Sequence, residues 1–86
     1  MDKVRERILD VAHDPTNRTI ILILARDMYD GSSGLTSDQI RKETKLSAEA
    51  IADALFALCE AGLVETWGKG PATIYSLTEQ GHEMAL

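Results

Sequence analysis

The sequence predicts a mainly α-helical domain closed by a small β-hairpin. Three observations carry this. Apolar residues recur at helical spacing through most of the first 61 positions. Three of these stretches open on capping residues, Asp14, Thr36 and Ser47, and two close on glycine-bearing turns, at Asp30-Gly31 and Gly62. Two short extended runs then follow, separated by Gly68-Lys69-Gly70-Pro71.

The elements follow in order. Asp2 to Ala12 carries Val4, Ile8, Val11 and Ala12 as one stripe, with charged residues mostly elsewhere on the wheel. Asp14-Pro15 opens a second helix. The Asp14 carboxylate can accept from first-turn N–H groups, and Pro15 sits where a missing N–H costs nothing. This helix runs to about Tyr29 and stops at the loop Asp30-Gly31-Ser32-Ser33-Gly34. Leu35 is a very short extended piece. Thr36-Ser37-Asp38-Gln39 is a capping box that opens a short third helix, with Ile40 inward, to about Thr44. Lys45-Leu46 turns the chain. Ser47 caps a fourth helix reaching Ala61, with Ile51, Leu55 and Leu58 inward, and Gly62 is its left-handed stop. Leu63 to Trp67 and Ala72 to Leu77 read as the two strands, and Thr78 begins a last short helix or frayed end. Helix, helix, short helix, tight turn, helix and hairpin make a helix-turn-helix followed by a wing, preceded by an extra N-terminal helix. The expected organisation is one domain, 1–86: N-terminal helix 1–13, helical core 14–62, wing 63–78 and C-terminal end 79–86.

Composition narrows the function classes. Among 86 residues, 14 acids face 9 bases, a net charge of −5, which argues against coating nucleic acid by bulk charge. Aromatics are only 5%, so the core must be aliphatic. The single Cys59 excludes a disulfide framework or a Cys-based zinc finger and reads as a buried small residue. His13 reads as a loop residue and His82 as a surface group at a frayed end. Neither joins Cys59 in a ligand set, so no metal site and no cofactor is expected. Phosphate loop, nucleophile elbow and HExxH are all missing, and a domain this small leaves little room for a deep pocket, so an enzyme is not expected. The N-terminus is mixed in charge and no run approaches membrane-spanning length, so the expectation is a cytoplasmic protein without a membrane partner.

Four segments resemble the ArsR/MarR-type winged helix-turn-helix transcriptional regulators. Asp14-Pro15-Thr16-Asn17-Arg18-Thr19-Ile20-Ile21 is similar to their helix-opening segment. Leu35-Thr36-Ser37-Asp38-Gln39-Ile40 is similar to the start of their supporting helix. Leu58-Cys59-Glu60-Ala61-Gly62-Leu63-Val64 resembles the recognition helix running into the wing. Tyr75-Ser76-Leu77-Thr78-Glu79-Gln80-Gly81 resembles the wing's exit. The match spans roughly residues 14 to 82 in the family's order. It implies a small regulator that binds double-stranded DNA, with helix 47–61 in the major groove. Ala48, Glu49, Ala52 and Asp53 would then face bases, while Thr36, Arg41, Lys42, Lys45, Ser47 and Lys69 meet phosphates.

The residues themselves keep alternatives open. Between Lys45 and Lys69 there is no Lys or Arg, while Glu49, Asp53, Glu60 and Glu65 are acidic. Arg41, Lys42 and Lys45 read equally as a solvated helix face. Phe56 is expected half buried against the wing or first helix, as the sole Phe in a small core. Exposed, it would be an apolar knob with an acidic rim, and Ala52, Phe56 and Ala57 would then bind a protein partner instead of DNA. Trp67 is expected to cap the wing base, with stacking on a ligand or DNA sugar as the alternative. In the second helix, Ile20, Ile21, Leu24 and Met28 form the core face, and Leu22, Ala25 and Tyr29 a second apolar stripe. The first helix covers that stripe, or a homodimer forms through Val4, Ile8, Val11, Leu22 and Tyr29. The resemblance supports a dimer through flanking helices, although the long C-terminal helix such dimers often use is not expected here.

Overall fold

The computed structural model describes residues 2–31 and 34–85, with side chains from Ile8 onward. The expected loop residues Ser32 and Ser33 and the Val4 side chain lie outside that description. Helices α1 (Asp2–His13) and α2 (Pro15–Tyr29) come first. Strand β1 (Leu35–Thr36), α3 (Ser37–Thr44) and α4 (Ala48–Glu60) follow. Strands β2 (Val64–Trp67) and β3 (Ile74–Leu77) and helix α5 (Glu79–Met84) complete the chain.

The caps stand where the sequence places them. The Asp14 carboxylate accepts from the N–H of Thr16 (3.1 Å) and of Asn17 (3.2 Å), with Pro15 opening α2. Thr36 and Gln39 form the reciprocal box, Gln39 N–H to Thr36 Oγ1 at 3.2 Å and Thr36 N–H to Gln39 Oε1 at 2.9 Å. Gly62 adopts φ +76°, a left-handed turn that takes the chain from α4 into the wing.

The wing differs from a simple hairpin. The sheet has three antiparallel strands in the order β1-β3-β2, because the short Leu35–Thr36 piece pairs with Tyr75 and Ile74. The returning strand begins at Ile74, not Ala72. Pro71 offers no N–H to a ladder, and Gly70–Ala72 winds into a single 3₁₀ turn closed by Thr73 N–H to Gly70 O at 3.1 Å.

The core is aliphatic. Ile20, Ile21, Leu24, Ile40, Ile51, Leu58 and Leu63 are its largest fully sealed side chains. Asn17 is buried and ties α2 to α1, donating from Nδ2 to Val11 O at 2.9 Å. The second stripe of α2 divides. Ala25 enters the core, whereas Leu22 and Tyr29 stay exposed, so α1 does not cover them. Ile8 and Val11 are partly buried against the core, and Leu22 and Tyr29 are the exposed members of the dimer set. His82 is no frayed surface group. It lies within α5, half buried, with its ring centroid 6.1 Å from that of Tyr29 and a buried Nδ1 that has no hydrogen-bond partner among the described residues. His13 belongs to the last turn of α1, not to a loop.

Helix α5 closes against the wing root. Thr78 N–H reaches Leu63 O at 3.0 Å, and Thr78 Oγ1 donates to Gly62 O at 2.6 Å. Gly81 is buried against Leu63, and a Cβ there would collide with the Leu63 carbonyl.

Candidate nucleic-acid interface

Helix α4 is aimed by the turn before it. Thr44 Oγ1 donates to Ile40 O at 2.8 Å and accepts Leu46 N–H at 3.2 Å, holding the end of α3. Lys45 then takes a left-handed conformation at φ 59°, with its N–H on Arg41 O at 2.8 Å. A non-glycine residue there costs about 1 kcal/mol, which the hydrogen bonds around it offset. Ser47 restarts the helix, its Oγ accepting Ala50 N–H at 3.1 Å.

From this start α4 buries Ile51, Ala54, Leu55 and Leu58 and exposes Ala48, Glu49, Ala52, Asp53, Phe56 and Glu60. Ala57 is only half exposed. A helix advances about 100° per residue. Ala48, Ala52 and Phe56 therefore form one file along the exposed face, and Glu49 and Asp53 the adjacent file.

Phe56 corrects the expectation of a half-buried aromatic. It is 69% exposed, because the inward file of α4 is already filled by aliphatic side chains. Trp67 likewise does not cap the wing base. It is 60% exposed at the end of β2, opposite Ile74.

The cations divide into two kinds. Asp38 holds Arg41 at 3.0 Å and Lys42 at 3.6 Å, all three side chains solvent-facing. Such exposed pairs are worth at most about 1 kcal/mol and are readily exchanged for a phosphate. Lys45 and Lys69 make no ion pair among the described residues. The first stands at the entrance to α4, the second on the wing turn between Gly68 and Gly70. Thr36 spends its hydroxyl oxygen on the α3 cap.

A groove of about 560 Å³ runs between α3, α4 and the wing strands, with Arg41, Ala52, Phe56, Cys59, Thr66 and Tyr75 in its walls. The sequence reading missed Thr66 and Tyr75. They are direct cross-strand partners, a relation that hairpin register alone would have revealed. Cys59 is only half buried, and burial together with the neighbouring Glu60 charge pushes its thiol above the ordinary 9.0. Among the described residues, no three His, Cys, Asp or Glu side chains converge as a metal site. Among the same residues, no helix is long and apolar enough to cross a membrane.

Solved structures share this fold. HlyU from Vibrio cholerae superposes with a TM-score of 0.79 at 20% identity, over 99% of this chain and 90% of that one. A candidate DNA-binding protein from Ralstonia eutropha gives 0.72 at 24% identity, over 84% of this chain and 91% of that one. These two establish the fold. A protein described as a possible transcriptional regulator for arsenical resistance is 31% identical, with a TM-score of 0.71, over 91% of this chain and 75% of its own. No protein-family model matches the chain, and no curated protein does. At that identity and coverage the chain belongs to the ArsR-type winged helix-turn-helix regulators.

Proposed function

We propose that the chain is a small, non-enzymatic transcriptional regulator that binds double-stranded DNA, with α4 in the major groove and the wing on the backbone. The carrying observation is the reading geometry itself. The Lys45 turn and the Ser47 cap present one uninterrupted exposed face of α4, on a chain 31% identical to a possible transcriptional regulator. Lys45 and Lys69 are the phosphate contacts that need no rearrangement, and Arg41 and Lys42 join them by leaving Asp38. Such a partner puts the protein in the cytoplasm.

The exposed Phe56 does not by itself favour a protein-binding module through Ala52, Phe56 and Ala57. An apolar side chain on a reading helix also meets thymine methyl groups. A homodimer that reads two half-sites extends the proposal, with the exposed Leu22 and Tyr29 of α2 as its candidate contacts. Sedimentation at low micromolar concentration tests it, and a clean 9.4 kDa species removes it.

The test of DNA binding is selection from random duplexes followed by a salt titration. Four cations per protomer give a slope of log affinity on log salt of about −4, and Lys69→Ala lowers its magnitude by about one. Failure to select any duplex at low salt ends the proposal.

A further inference from the structure

The exposed face of α4 has a chemical character that restricts what it can read. Ala48, Glu49, Ala52, Asp53, Phe56 and Glu60 include no hydrogen-bond donor side chain. Ser47, the N-cap ahead of them, accepts Ala50 N–H on its Oγ and keeps its hydroxyl proton for a phosphate at the helix entrance. The face is one apolar file beside one file of acceptors.

Base edges in the major groove are not equally compatible with such a face. Guanine presents two acceptors, N7 and O6, and is normally read by Arg or Lys. Carboxylates facing it are repelled. Cytosine presents the N4 amino donor, which Glu and Asp accept, and thymine presents its C5 methyl to apolar side chains. The recognition helix of this motif contacts bases with its N-terminal residues. In α4 those are Ala48, Glu49, Ala52 and Asp53, with the long Phe56 side chain one turn further on.

Resting on the DNA-binding reading above, we infer that this chain reads its half-site through cytosine amino groups and thymine methyls, without a direct guanine contact. Glu49 and Asp53 accept from cytosine N4. Ala48, Ala52 and Phe56 pack on the methyls. A carboxylate brought to guanine or to a phosphate costs affinity, so α4 enters the groove only where amino donors stand opposite its acidic file.

The experiment uses the full chain. A duplex selected from random sequence is resynthesised with each thymine replaced singly by deoxyuracil, which removes only the methyl. Affinity falls about fourfold at each contacted thymine. Selection is repeated with Glu49→Gln and Asp53→Asn, each verified as folded by circular dichroism. Gln and Asn pair with adenine N6 and N7. Each variant therefore moves the preference at one position from cytosine to adenine, a change of roughly five- to 150-fold in relative affinity. If a duplex is bound but uracil substitution is silent and neither variant alters base preference, the base assignment is overturned while DNA binding stands. If the wild-type chain selects no duplex, both readings fall together, and capture of a protein partner by the Phe56 face becomes the surviving explanation.

Discussion

Phe56→Ala tests the geometry of α4 most directly, because its expected effect on stability is nearly zero. Full burial of a Phe side chain is worth about 1.5–3 kcal/mol. With 69% of Phe56 exposed, about three-tenths of that, about 0.5–0.9 kcal/mol, is lost on truncation. Ala is the better helix former by about half a kcal/mol, which returns most of the loss. The net change is within about 0.5 kcal/mol, against about 3–5 kcal/mol for a core Phe. Urea unfolding followed by circular dichroism reads it, with an unchanged m-value and a melting shift under about 4 °C. Binding to a selected duplex falls in the same variant. A stability loss above about 2 kcal/mol refutes the exposed placement, and with it the apolar file that Phe56 completes.

Other perturbations have equally definite outcomes. Gly81→Ala drives a methyl group into the Leu63 carbonyl, so α5 must lift from the wing root. The gain in helix propensity is about 1 kcal/mol, and the net loss expected in chemical denaturation is about 2 kcal/mol. Cys59 alkylation is slow at about pH 8 compared with a free thiol, and accelerates only at higher pH. Its raised pKa leaves its stability contribution intact below the unfolded value and removes it as pH climbs through the folded one, so denaturation midpoints drift downward only in alkaline buffer. Arg26→Ala breaks the 2.7 Å pair with Glu43, yet both side chains are at least half exposed, and unfolding shows a change of at most about 1 kcal/mol.

The elements were legible because their signals are local. Asp14-Pro15, the Thr36/Gln39 box, Ser47 and Gly62 each satisfy or redirect backbone groups within a few residues. Leu35 was legible as extended, but its place in a three-stranded sheet was not, because β1 joins the sheet only by pairing with Tyr75 and Ile74, some 40 positions away. Phe56 and Trp67 were misplaced for a related reason. Composition says that small cores want aromatics, but seven aliphatic side chains already fill the sealed interior. His82 looked terminal, and only the docking of α5 beside α2 brings it to Tyr29. At the interface, the order of cations along the chain was visible, whereas the pairing of Arg41 and Lys42 with one Asp38 is a property of α3 once folded.

The acidic file on α4 has a consequence for selectivity. Attraction to any duplex scales with phosphates neutralised, and in the proposed complex Lys45 and Lys69, which make no ion pair among the described residues, supply with Arg41 and Lys42 what Glu49 and Asp53 partly oppose. Random sequence is therefore held weakly. On the proposed contacts, the same carboxylates gain amino donors at a matching half-site, and their repulsion becomes attraction. Discrimination is the difference of the two, so it grows by what α4 refuses as much as by what it accepts. Glu49→Ala separates these effects. It raises affinity for random duplex and lowers affinity for the selected one, and a parallel rise on both shows that the carboxylate serves no base.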